Sequence, residues 1–138
     1  MIDANDSKGA HALDRLRTER TGWLTTVTPH GQPQTMPVWF LWEDDGILVY
    51  SYRTAARNRN LASNPRVTFV LNTDDLGEDL VVIQGEAQIE PELPAGKDHE
   101  GFLAKYRPLL DDYGWTPERF STDYPHPIRI RPTKVKLG

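Results

Sequence analysis

Between residues 23 and 89 the sequence turns to β-type texture five times, in runs of ten residues or fewer set off by Gly, Pro, Asn and Asp clusters. That rhythm restricts the fold more than any other feature, because short strands at close spacing can bury a common face only by pairing with their neighbours into a sandwich or barrel. Residues 23–28 and 34–42 flank a turn at Pro29-His30-Gly31, and Glu43-Asp44-Asp45-Gly46 sends the chain back through residues 47–52. Three antiparallel strands are thus expected before residue 53. Residues 54–63 have helical composition, stopped by Asn64-Pro65. Strands resume at residues 66–71 and 80–89, the second alternating polar and apolar residues after Gly85.

The remaining helical texture lies outside this block. Asp6 or Ser7 can cap a first helix over about residues 6–20, with Leu13 and Leu16 as its apolar stripe and Gly22 ending it. Peripheral helices are expected over about 97–122, one amphipathic from 97 to 106 and one opened by Thr116-Pro117. A last strand covers about 127–136; Ile128-Arg129-Ile130-Arg131 alternates cleanly before Pro132. The expected fold is mainly β with α+β character: a small antiparallel barrel over about 22–90 with peripheral helices. At 138 residues, one domain spanning 1–138 is expected. A barrel this small cannot hold Trp39, Trp42, Tyr50 and Tyr52 all inside, so some of these rings should face a ligand or partner.

Composition removes several functions. The chain has no cysteine, hence no disulfide, thiolate nucleophile or sulfur-ligated metal. Its longest apolar run, Val38-Trp39-Phe40-Leu41-Trp42, is far below the roughly 20 residues of a bilayer span. The start lacks a basic and an apolar segment in succession, so a cytoplasmic protein with no membrane partner is expected. Net charge is −4, which argues against nucleic acid as a partner. Arg53, Arg57, Arg59 and Arg66 nevertheless occur without an acid among them, whereas residues 74–100 hold nine acids and only Lys97. A locally basic stretch in an acidic protein suits one small anion, such as a phosphate, although solvated surface arginines give the same pattern.

Signatures of α/β hydrolases, P-loop NTPases, dinucleotide-binding folds and zincins are all absent. Of the four histidines, only His99 has potential metal ligands beside it, in Asp98-His99-Glu100, and consecutive residues do not share a helix face; no metal is expected. The remaining candidate is the segment 38–61, where an aromatic strand pair leads into a helix. Ser51, Arg53, Thr54, Arg57 and Asn60 there offer hydroxyl, amide and guanidinium donors near a helix start, the chemistry a phosphate monoester requires. Core packing accounts equally for Trp39, and a helix-surface amide for Asn60.

The order of these features resembles the pyridoxamine 5′-phosphate oxidase-like split β-barrel flavoproteins, and within them the branch that uses the deazaflavin F420. The resemblance runs from Leu13 to about Gln88, with a tail at 128–135. It is carried by Trp23-Leu24-Thr25-Thr26-Val27 with His30-Gly31-Gln32-Pro33, by Pro37-Val38-Trp39-Phe40, and above all by Arg57-Asn58-Arg59-Asn60-Leu61 with Asn64-Pro65-Arg66-Val67. It implies the FMN-binding split-barrel fold. It also implies that Arg57 binds the cofactor phosphate with the Ser51 hydroxyl, and that Met36, Pro37, Val38 and Trp39 form the strand under the flavin-like ring. Arg53, Thr54 and Asn60 correspond more loosely.

The chain departs from the pattern in two places. It is shorter than true pyridoxamine phosphate oxidases and its tail lacks their arginine–histidine pattern, so that oxidation is not expected. The serine–arginine–lysine phosphate cluster of the flavin mononucleotide (FMN) enzymes reads Ala55-Ala56-Arg57 here, which favours F420 over FMN. The resemblance thus implies an F420-dependent oxidoreductase passing a hydride to a small electron-poor acceptor such as an enone or quinone. The alternatives are an FMN enzyme of the same fold and a non-catalytic binder of flavin, F420 or haem. It further implies a homodimer with cofactor sites at the interface, completed by second-subunit residues from the 106–127 segment. No catalytic side chain is identified in the sequence; solvent or a tyrosine such as Tyr52 is the available proton source.

Overall fold

The computed structural model describes residues 1–138. Seven strands, β1 (Gly22–Val27), β2 (Pro33–Val38), β3 (Leu41–Glu43), β4 (Gly46–Ser51), β5 (Arg66–Val70), β6 (Val81–Ile89) and β7 (His126–Leu137), form one sheet in the order β2-β1-β5-β6-β7-β4-β3. All neighbouring pairs are antiparallel. Four α-helices surround it: α1 (Ser7–Thr18), α2 (Ala56–Ser63), α3 (Glu100–Tyr113) and α4 (Pro117–Asp123).

The strand order itself forces the sheet to curl. Strands β2 and β3 lie on opposite edges of the sheet, yet only Trp39 and Phe40 separate them. Three peptide steps reach about 10 Å at most, so the two edges must meet. The result is a barrel split between β2 and β3, with Trp39 and Phe40 across the split. Inside lie Leu24, Ile47, Val49, Val67, Phe69, Ile83, Ile128 and Ile130, with Ala12 and Leu16 of α1 packed into the same cluster. A second core lies on the other side of β4, where Leu48 and Tyr50 meet Phe102, Tyr106 and Leu110 of α3 and Phe120 of α4. Strand β4 is therefore buried on both faces, which accounts for its unbroken apolar run.

Several expectations need correction. The single strand expected over 34–42 is two strands, so four strands precede residue 53. Its break leaves no turn signal because the Phe40 backbone is satisfied by a distant side chain: the Phe40 N–H donates to the Tyr106 hydroxyl at 2.8 Å. Gly22 does not end α1, whose C-cap is Glu19; it opens β1, where a Cβ would stand 2.2 Å from the Phe69 ring. Helix α2 begins at Ala56 with no side-chain cap, so Thr54 does not start it. Helix α3 runs on to Tyr113, through Pro108, and Gly114 ends it in the left-handed region at φ 71°. Strand β7 covers the expected 127–136 and passes through Pro132, which a register shift at Gln84/Gly85 opposite accommodates. Asp6 as the cap of α1 and Thr116 as the cap of α4 are found as expected. No helix is long and apolar enough to cross a membrane.

Candidate functional site

At the split of the barrel, the end of β2, the inner part of β4 and the start of α2 face α3 and α4 across a cavity of about 550 Å³. Met36, Pro37, Val38 and Trp39 form one wall, and Tyr52 and Arg57 stand at the join between β4 and α2. Rings and aliphatic chains of α3, α4 and their connection, among them Phe102, Leu110, Trp115, Phe120 and Tyr124, form the other. A second concavity of about 530 Å³ lies on the outer sheet face among Thr25, Arg66, Thr68, Gln84 and Glu86. It mixes charges and offers no aromatic surface, so the first cavity is the candidate site.

Arg57 is the only charged side chain on that cavity wall. Its guanidinium donates to the Ser51 hydroxyl at 2.9 Å and has no carboxylate partner. Desolvation lowers its pKa from the ordinary arginine value, and the neighbouring Tyr124 acts in the opposite sense. A half-buried guanidinium held by one neutral hydroxyl keeps its other donors free for an anion. Ser51 is fully buried and does not reach the cavity; in this arrangement it orients Arg57.

The other expected residues fall into two groups. Met36, Pro37, Val38 and Trp39 come together with Arg57 around the cavity. Arg53 and Thr54 are exposed outside it, Arg53 lying over the Tyr52 ring at 5.3 Å. Asn60 is buried and is not a helix-surface amide: its side-chain N–H groups donate to Thr26 Oγ1 at 2.9 Å and Gln34 Oε1 at 3.0 Å, tying α2 to β1 and β2. Trp39 serves both roles considered for it. It packs on Tyr106, with centroids 4.6 Å apart and planes 4° from parallel, and its other surface lines the cavity.

The strand wall is held from behind. The Tyr106 hydroxyl accepts from the Phe40 N–H and lies within hydrogen-bond distance of the Arg20 and Phe40 carbonyls, at 2.7 and 2.8 Å. Burial raises its pKa, keeping the phenol protonated. The Lys105 ammonium donates to the same Phe40 carbonyl at 2.8 Å and sits 3.9 Å from the centre of the Phe40 ring. At the base of α3, His99 Nδ1 accepts from the Phe102 N–H, and Nε2 lies 3.0 Å from the Glu43 carboxylate, which also receives Arg129. His99 is thereby fully engaged as a helix cap and cross-link.

Sequence reasoning missed the α3–α4 wall. The 106–127 segment was expected to complete a partner subunit's site; here Leu110, Tyr113, Trp115, Phe120 and Tyr124 line the cavity of their own chain. The amphipathic aromatics of α3 were the available signal, but periodicity alone cannot tell a core ring from a lining one.

The model of the pyridoxamine 5′-phosphate oxidase family matches residues 10–119, most of the chain. Over 84 residues the chain is 38% identical to a 5a,11a-dehydrotetracycline/5a,11a-dehydrooxytetracycline reductase from Streptomyces rimosus subsp. rimosus, a match that spans 55% of this chain and 59% of that relative's length. A solved structure described as an F420 reductase superimposes with a TM-score of 0.64 at 25% identity, over 89% of this chain and 94% of its own. A conserved hypothetical protein from Mycobacterium tuberculosis superimposes with a TM-score of 0.71 at 25% identity, over 91% of this chain and 81% of its own. The split barrel and the extent of the family match agree, and the chain belongs to the pyridoxamine 5′-phosphate oxidase family.

Proposed function

We propose that the protein is an oxidoreductase that binds F420 at the split of the barrel and reduces a small electron-poor acceptor. The observation that carries this reading is the pairing of one carboxylate-free guanidinium, Arg57, with a cavity otherwise walled by apolar and aromatic side chains. A ligand with a phosphate beside a flat ring satisfies both halves. The resemblance of the Arg57-Asn58-Arg59-Asn60-Leu61 segment, together with the similarity to an F420 reductase and to a tetracycline-type reductase, supports the deazaflavin. So does Ala55-Ala56 in place of two phosphate donors expected of an FMN enzyme.

The bound deazaflavin supplies the hydride donor: an acceptor gains a hydride and a proton while the reduced cofactor loses both. The chain's own residues bind and orient. Arg57 fixes the phosphate, the Met36–Trp39 strand supports the ring, and the aromatic wall excludes water from the acceptor. The Tyr52 and Tyr124 hydroxyls are protic groups on the wall, and Tyr124 acts electrostatically on Arg57. The site works in a homodimer. Strand β2 is an edge strand with five of its six residues exposed, Met36 among them at 57%, and is suited to contact with a second copy.

The test is aerobic and anaerobic turnover of reduced F420 with cyclohexenone and 1,4-naphthoquinone, followed by the deazaflavin absorbance. Enzyme-dependent oxidation of the cofactor with matching acceptor reduction is expected. Saturable binding without turnover of either acceptor would instead support a carrier protein, and exclusive use of FMN would move the protein to the flavin enzymes.

A further inference from the structure

We infer that the α3–α4 wall selects planar, fused-ring acceptors and that Tyr124 sets this preference. The inference builds on the reading of the cavity as a reductase site but depends on a separate set of residues. Tyr106, Trp39, Phe120 and Tyr124 form a ladder of nearly parallel rings. Successive centroids are 4.6, 5.9 and 4.7 Å apart, and the planes differ by 4°, 12° and 9°. Tyr106 is buried in the core, whereas Trp39, Phe120 and Tyr124 line the cavity.

Offset-stacked parallel rings are a favoured aromatic arrangement, and here three consecutive stacks run from the core to an open cavity. A flat molecule lying parallel to them continues the ladder by offset stacking. The faces of tryptophan and tyrosine carry negative quadrupole charge, and a hydride acceptor is electron-poor, so the two surfaces are complementary. With the cofactor ring on the Met36–Trp39 strand, the α3–α4 wall is the surface left for the acceptor.

Tyr124 stands at the end of the ladder and is held in place. Its N–H donates to the Phe120 carbonyl at 2.8 Å, and its ring meets Tyr52 edge on at 5.3 Å and 72°. Both neighbours also line the cavity, so the Tyr124 plane is fixed by its own surroundings before any ligand arrives. Apart from Arg57, a few hydroxyls and the indole N–H groups of Trp39 and Trp115, the wall carries only apolar side chains, a poor match for a heavily hydroxylated substrate.

The test uses calorimetric titration of the protein without cofactor, with anthraquinone-2-sulfonate and benzenesulfonate, which share an anionic group and differ in fused rings. The fused-ring probe is expected to bind about tenfold tighter or more. Tyr124→Leu, which keeps apolar volume but removes the ring, is expected to erase most of that difference, and Tyr124→Phe to keep it. Equal affinity for the two probes, or an unchanged preference in Tyr124→Leu, overturns the inference. A second measurement separates it from the cofactor reading: with reduced F420 present, Tyr124→Leu should raise KM for 1,4-naphthoquinone by more than it raises KM for cyclohexenone, and Tyr124→Phe should keep that ratio at the wild-type value. If F420 does not bind but the calorimetric preference holds, the cofactor reading falls and ring selection stands. Turnover with no dependence on ring number gives the reverse.

Discussion

At the residue scale, the site is built on side chains that satisfy one another out of sight of the ligand. Tyr106 satisfies the Phe40 N–H at the place where β2 gives way to β3, and its ring supports Trp39. Tyr106→Phe keeps the ring but leaves a buried N–H without a partner, a loss of about 1–3 kcal/mol in urea unfolding. Lys105 gives a pH signature. Burial lowers its ammonium from 10.5 to about 8, against the opposing pull of Glu19. Folded protein releases this proton near pH 8 while the unfolded chain holds it until near 10.5, so unfolding takes up a proton in that window and stability rises with pH across it. Lys105→Met should flatten that rise; urea midpoints at about pH 7.5 and about pH 10 measure it. Arg57 was legible in the sequence because it is the charged member of a recognisable segment. Asn60 and Tyr106 were not, since their roles depend on partners 26 to 86 residues away.

At the element scale, the sequence carried strand existence and type well, because period-2 patterns and turn residues are local signals. What it hid were the joints. The 34–42 run is unbroken apolar sequence from Met36 on, so nothing there marks the point where the chain leaves one sheet edge for the other; the curl of the sheet decides that. Pro132 removes one ladder bond inside β7, and the shift at Gln84/Gly85 that accommodates it lies on another strand. Gly85 is required at that bulge: a Cβ would stand 2.5 Å from the Arg131 carbonyl oxygen. Helix α2, the element that presents Arg57, has Ala55 at its N-cap position and so no side-chain cap. Ala55→Ser should supply one and stabilise the protein by about 0.5–1 kcal/mol, seen as a higher Tm by differential scanning calorimetry.

At the scale of the whole molecule, the two cores have different tasks. The inner core closes the barrel, and the second core, between β4 and the α3–α4 pair, sets one wall of the cavity at a fixed distance from the other. The family and the split barrel could be inferred from the order of segments along the chain, whereas the α3–α4 wall could not, since lining and core rings share one periodicity. The exposed β2 edge predicts a dimer: sedimentation should give twice the 15.7 kDa chain mass, and a monomer at micromolar concentration would contradict the assembled site. The most direct test of the account is a pair of fluorescence titrations, F420 and FMN, on wild type and Arg57→Gln. Saturable F420 binding, preferred over FMN and weakened roughly tenfold or more by loss of the charge-assisted contacts, is the predicted result. Tighter binding of FMN, or F420 binding indifferent to Arg57, would contradict it.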